Sequence, residues 1–249
     1  MRYRVLLSIT LFSLLASGVC FSQLGTMVRI GGQYWYAMPN YRGEPFEKID
    51  IGSGNMFGPY VNVQLGELII GTSMFFGPFG CKTNFDVNGS QQNFDLNIRR
   101  NDINFRAGLN LFPGFVLFGM VKNLSFKGDK TTTINSTETR FAFERKGILY
   151  GFGLSGVFPF RGSPFFLSWS AAYLMGTMET IMSSSSGAWL MNQRQMKADV
   201  NVTAFTVGLG YGDPFGLNVV VGYKTDLSGE KEGEERIHGI VATMTYTIR

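Results

Sequence analysis

His238 is the only histidine among 249 residues, and so the obvious general base near neutral pH. Glu232, Glu234 and Glu235 precede it closely, with Asp226 and Ser228 a little further upstream. A histidine beside a carboxylate or a serine is the constellation of acid–base and acyl-transfer hydrolysis. Its position argues against that use. His238 shares the alternation phase of Ile240 and Met244, the apolar side of its segment, and no Asp-Asp pair or histidine–serine motif accompanies it. The expectation is a rim histidine with no catalytic role, and a rim-site hydrolase using His238 is an alternative.

Three cations carry a different chemistry. Arg29, Arg106 and Lys224 fall in the non-apolar phase of their segments, together with Gln33, Tyr60 and Asn104. If that phase lines a lumen, no Asp or Glu joins them at a clear inward position at membrane depth, and a mildly cationic interior would favour anions. Many positions in the same phase are small, among them Gly31, Gly151, Gly153, Ser168 and Gly222, which leaves room for a narrow aqueous path. The competing expectation is a solid core in which the cations pair with turn or loop carboxylates. Cys81 has no second ligand nearby, so neither a metal nor a redox role is expected. Trp189 and Leu190 follow the Ser183–Ser186 run and give one long loop an apolar tip, a candidate for contact with a partner.

The segments that must position these residues alternate apolar with non-apolar side chains. In the last, Ile240, Ala242, Met244, Tyr246 and Ile248 face one way, and Val241, Thr243, Thr245 and Thr247 the other. Period two over nine to eleven residues is the pattern of a tilted strand crossing a bilayer. Tight breaks at Gly66-Glu67, Pro113-Gly114, Arg161-Gly162-Ser163 and Gly212-Asp213-Pro214 alternate with polar stretches at 39–54, 79–93, 127–140, 178–196 and 226–236. Short turns at one end and long loops at the other are the layout of a transmembrane β-barrel. Ten strands are expected, and eight are possible. Phe94, Leu96 and Ile98 break phase with Asn104 and Arg106, which predicts a bulge near Arg99-Arg100-Asn101. A similar slip is expected near Thr203–Ala204, and residues 115–126 hold apolar side chains in both phases.

Composition narrows the class further. Arg2 and Arg4 followed by an apolar run from Val5 to Ala16 read as an export signal cleaved after Ser22, with acylation of Cys20 as the competitor. Removing residues 1–22 takes two of the 22 basic side chains and lowers the formal charge from +4 to +2. That balance, with no basic stripe, excludes a nucleic-acid partner. One cysteine would remain, so no internal disulfide framework exists. No later stretch holds 18 uninterrupted apolar residues, which excludes helical spans, while 23 Phe residues suit strands and interface girdles.

Residues 24–249 resemble the small bacterial outer-membrane β-barrels, and ten strands match the size of the outer-membrane proteases called omptins. The likeness is one of architecture. It implies an all-β, antiparallel, up-and-down barrel as a single domain over 23–249, seated in the cell outer membrane. It implies contact with outer-membrane lipid and lipopolysaccharide, and handling by the barrel-insertion machinery. Such barrels commonly end in an aromatic residue, and the nearest here is Tyr246 in Tyr246-Thr247-Ile248-Arg249. The expected function is a narrow porin-like or structural barrel, not an enzyme, with no cofactor. The alternative from another class is a surface barrel that binds a partner through its outer loops.

Overall fold

In the computed structural model, backbone is described for residues 26–43, 49–87, 90–134, 137–186, 189–213, 215–230 and 233–248, although some side chains near the strand tips are not. The proposed leader lies outside the described residues. Ten strands follow one another: β1 (Thr26–Gly43), β2 (Ile49–Leu65), β3 (Leu68–Val87), β4 (Ser90–Phe112), β5 (Phe115–Ile134), β6 (Thr137–Pro159), β7 (Phe165–Ser186), β8 (Trp189–Gly212), β9 (Leu217–Glu230) and β10 (Gly233–Ile248). Each pairs antiparallel with its neighbours, and β1 pairs with β10 as well as β2, which closes the barrel. Closure leaves no strand edge unpaired, the condition for placing a sheet in hydrocarbon.

The short turns fall where the breaks predict. Gly66 has φ 61° and Gly114 has φ 87°, left-handed conformations that turn β2 into β3 and β4 into β5 with two residues each. At the β8–β9 turn the Asp213 carboxylate accepts the backbone N–H groups of Phe215 and Leu217, at 3.0 and 2.7 Å. Aromatic rings collect just above this end. Phe115 packs on Phe112 at 4.4 Å and on Phe158 at 5.2 Å between ring centroids, and Phe165 on Tyr211 at 5.6 Å. Apolar side chains then face outward up each wall, as from Phe158 to Ile148 on β6, where Phe152, Tyr150 and Ile148 are exposed.

The opposite end differs from the expectation. Residues 79–93, 127–140 and 178–196 were expected as loops, yet their described residues form the tops of paired strands. β4, β6 and β8 run to 23, 23 and 24 residues, about twice what crosses the hydrocarbon. The reason is solvation. Above the bilayer both faces of a strand are wet, so alternation fades and a polar strand reads as a loop. The barrel therefore rises well above its apolar band as a collar.

The expected bulge and slip are also absent. β3 and β4 keep unbroken register from Leu68↔Leu109 to Val87↔Ser90, and β7 and β8 from Phe165↔Tyr211 to Ser184↔Asn192. The phase never changes; the lining does. Ile98, Val200 and Val202 point inward and are buried. β5 resolves in the same way, with Phe118, Lys122, Leu124 and Phe126 all buried inward.

Candidate functional site

The lumen changes character along its axis. In the half near the long strand tips, Trp35, Met56, Phe75, Phe79, Ile98, Phe126, Leu149, Leu174, Met178, Val200 and Ile237 form one buried cluster. Trp35, Leu149 and Leu174 have no exposed surface at all. Ions are embedded in this apolar layer. The Arg100 guanidinium grips Asp102 with two bonds, Nε to Oδ1 at 2.7 Å and Nη2 to Oδ2 at 2.8 Å. Lys122 Nζ lies 2.5 Å from Asp226 Oδ2 and 3.4 Å from Asp102 Oδ2. Lys224 Nζ reaches Asp226 Oδ1 at 3.1 Å, and Arg145 Nη1 reaches Glu235 Oε2 at 3.1 Å. Arg100 stands 3.6 Å from Glu235, which links the two halves of the network.

These contacts cross the barrel. Arg100 and Asp102 sit on β4 and Asp226 on β9, five strands away round a ten-strand wall, which is diametrically opposite. Aromatic faces complete the cations' shells. Lys224 Nζ lies 3.8 Å from the Trp35 ring centre, and the Arg100 guanidinium 4.6 Å from that of Phe126. A cavity of about 10 Å³ remains beside Lys122, Asp226 and Glu235, room for no more than about one water.

The expectation of no clearly inward carboxylate was limited to membrane depth; past the apolar band Asp102, Asp226 and Glu235 all point inward and all are buried. The signal was present in the phase. Asp102 stands two residues from Asn104, and Asp226 two from Lys224, so carrying the alternation past the apolar band would have found both.

The structure distributes the expected lining residues unequally. Arg29, Gln33, Tyr60, Asn104, Arg106 and Lys224 all occupy inward positions. Lys224 belongs to the buried network, whereas the other five line the half nearer the short turns. There Arg106 donates to the Tyr60 hydroxyl and Asn104 Nδ2 to Ser73 Oγ at 3.3 Å. Small inward positions are less empty than they read. An added Cβ at Gly153 would meet the Phe118 ring at 2.6 Å, and one at Gly210 the Phe166 ring at 2.2 Å, so neighbouring rings occupy that space.

His238 is half-buried on the outer wall, its ring 5.9 Å from that of Tyr223. Its Nδ1 has no hydrogen-bond partner among the described residues. Glu235, three residues upstream, points inward to Arg145 rather than toward this ring. The side chains of Trp189, Leu190 and Cys81 lie outside the described residues, and no group of three metal-ligating side chains occurs among the described ones.

No protein-family model matches the chain, and no curated protein sequence matches it. Solved structures do. The outer membrane protease OmpT of Escherichia coli superposes with a TM-score of 0.56 at 12% identity, over 90% of this chain and 96% of that one. The attachment invasion locus protein Ail of Yersinia pestis gives 0.35 at 9% identity, covering 88% and 98%. The toluene transporter TbuX of Ralstonia pickettii gives 0.37 at 11% identity, covering 90% and 89%. At such identities the likeness is one of fold. The superposition on OmpT, with the closed ten-strand sheet, the apolar outer band and the aromatic girdle, gives this chain the fold of a bacterial outer-membrane β-barrel.

Proposed function

We propose that this barrel is a non-conducting outer-membrane scaffold, without a catalytic centre, whose working surface is the collar above the bilayer. The observation that carries the reading is the cross-lumen network of Arg100, Asp102, Lys122, Asp226, Arg145 and Glu235, packed inside apolar side chains. Conduction would require a hydrated ion to displace paired, buried charges, each costly to strip of its partner. His238 faces the outer wall, and no described side chain is bonded to its Nδ1 to orient it as a base.

The collar supports the second half of the proposal. Just above the apolar band its outer face carries Arg99, Lys127, Lys146 and Lys197 on strands β4, β5, β6 and β8, interleaved with Glu144 on β6 and Glu179 on β7. Lys127 pairs with Glu144 at 2.8 Å and Lys146 with Glu179 at 3.4 Å. A belt of cations at headgroup height suits the phosphates of lipopolysaccharide, and the strand tips above it are free to meet an extracellular partner.

The test is conductance of the refolded barrel, residues 23–249, across a planar bilayer under a salt gradient. Electrical silence from a folded, heat-modifiable barrel is expected. Discrete anion-selective steps whose preference reverses in Arg106→Glu would overturn it and establish the narrow porin instead.

A further inference from the structure

We propose that the periplasm-facing half of the lumen is a blind-ended binding site for a small oxyanion of the phosphate class, anchored by Arg106. The proposal leans on the closed-lumen reading only for the word blind-ended. The site itself stands on residues below the network.

Arg29, Asn62, Gly71 and Arg106 are consecutive register partners across β1, β2, β3 and β4, so they form one row round the wall. Three strand spacings separate the two arginine Cα atoms, about 14 Å. Gly71 shapes the row. A Cβ there would stand 3.0 Å from Arg106 Nε and 3.4 Å from its Cγ, so the bare backbone lets the arginine lie flat toward β2. It is held there by Tyr60, whose hydroxyl accepts from Arg106 Nη2 and whose ring centre lies 5.4 Å from the guanidinium carbon. Asn62 Nδ2 donates to the same oxygen at 3.2 Å.

The chemistry of that arrangement is one-sided. A phenol orients the guanidinium but does not neutralise it. Arg29 is exposed, and its nearest polar partner is the Met27 sulfur at 3.5 Å. Among the described residues neither arginine has a carboxylate partner, and no inward Asp or Glu lies between this row and the short-turn end. Among the described residues, the carboxylates facing the lumen belong to the network above. The remaining groups are Gln33 and Asn104, each of which still has an amide N–H to offer.

A permanently charged planar fork, fixed by its neighbours and lacking a counter-ion, is built to take an oxyanion with two parallel bonds. Arg106 and Tyr60 are half-buried and Arg29 is open. A ligand therefore enters from the periplasm past Arg29 and stops beneath Lys224 and Trp35.

The test is calorimetric titration of the refolded barrel in detergent with inorganic phosphate, and separately with acetate, at constant ionic strength. Saturable one-to-one phosphate binding is expected. It should weaken about tenfold in Arg106→Gln, the effect of losing a charge-assisted hydrogen bond, less in Arg29→Gln, and remain unchanged in Arg161→Gln at the exposed β6–β7 turn. Tyr60→Phe keeps the ring, releases the guanidinium and should weaken binding too, a check if Arg106→Gln fails to fold. Tighter acetate binding with the same Arg106 dependence would keep the site and assign it to carboxylates. No saturable heat, or an isotherm unmoved by both Arg106→Gln and Tyr60→Phe, would overturn the proposal. Conductance is read separately, so a leaky barrel with an intact phosphate isotherm would fail the scaffold reading alone.

Discussion

The two halves of this lumen are lined by the same ten strands, yet they treat charge in opposite ways. Toward the strand tips, Arg100, Lys122, Arg145 and Lys224 meet Asp102, Asp226 and Glu235 inside an apolar jacket, and almost nothing is exposed. Toward the short turns, among the described residues, Arg106 meets the Tyr60 phenol and Arg29 the Met27 thioether. A charge in low dielectric must be paired, whereas one within reach of water can stand alone and attract a ligand. Pairing therefore marks the part of a lumen that is structure, and unpaired charge the part available for work.

The largest expected effect comes from breaking the paired half. Asp226→Ala leaves Lys122 and Lys224 buried without their principal partner, which should cost about 3–5 kcal/mol in urea unfolding and introduce a leak current. Arg29→Gln in the open half should move stability by less than about 0.5 kcal/mol. Equal costs for the two would erase the distinction between the halves.

Packing sharpens the same contrast. Leu174 has no exposed surface, so Leu174→Ala should cost about 2–5 kcal/mol by removing contacts and leaving a cavity. Val220 faces the open half and is only half-buried, so Val220→Ala should cost no more than about 1 kcal/mol. Similar penalties in unfolding midpoints would mean that both halves are packed alike.

How much of this was legible in the sequence follows the same axis. Where one face meets lipid and the other a polar lumen, alternation is forced, and β6, β7, β9 and β10 read correctly from Phe158, Trp169, Val221 and Met244. The turns were legible because Gly66 and Gly114 stand where the chain reverses. Legibility failed where the physical constraint lapses. Ile98, Val200 and Leu124 are apolar on the inner face because they jacket an ionic network, so an apolar residue no longer implied lipid, and an unbroken strand read as bulged or unphased. The polar strand tops read as loops for the complementary reason, since water on both sides imposes no period. Arg106 was placed inward by phase alone, but its hold on Tyr60 across Gly71 depends on register between β2, β3 and β4, which no single strand encodes.

The smallest expected effect lies on the collar, where ion pairs are wet and the contrast with the buried network is one of solvent. Glu144 accepts a bond from Lys127, and this partner holds its carboxyl below the usual carboxylate range, with Lys146 adding a weaker pull. Because the folded pKa is lowered, the pair's contribution is present above the unfolded value of about 4.3 and is lost as pH falls through the lowered one. Its size should be that of exposed pairs, about 0.2–1 kcal/mol, and salt should screen it. Carboxyl-carbon NMR of Glu144 should show a midpoint below that of a free glutamate, rising toward it in Lys127→Gln. An unmoved midpoint in that variant would leave the depression to Lys146 and make the Lys127 contact electrostatically idle.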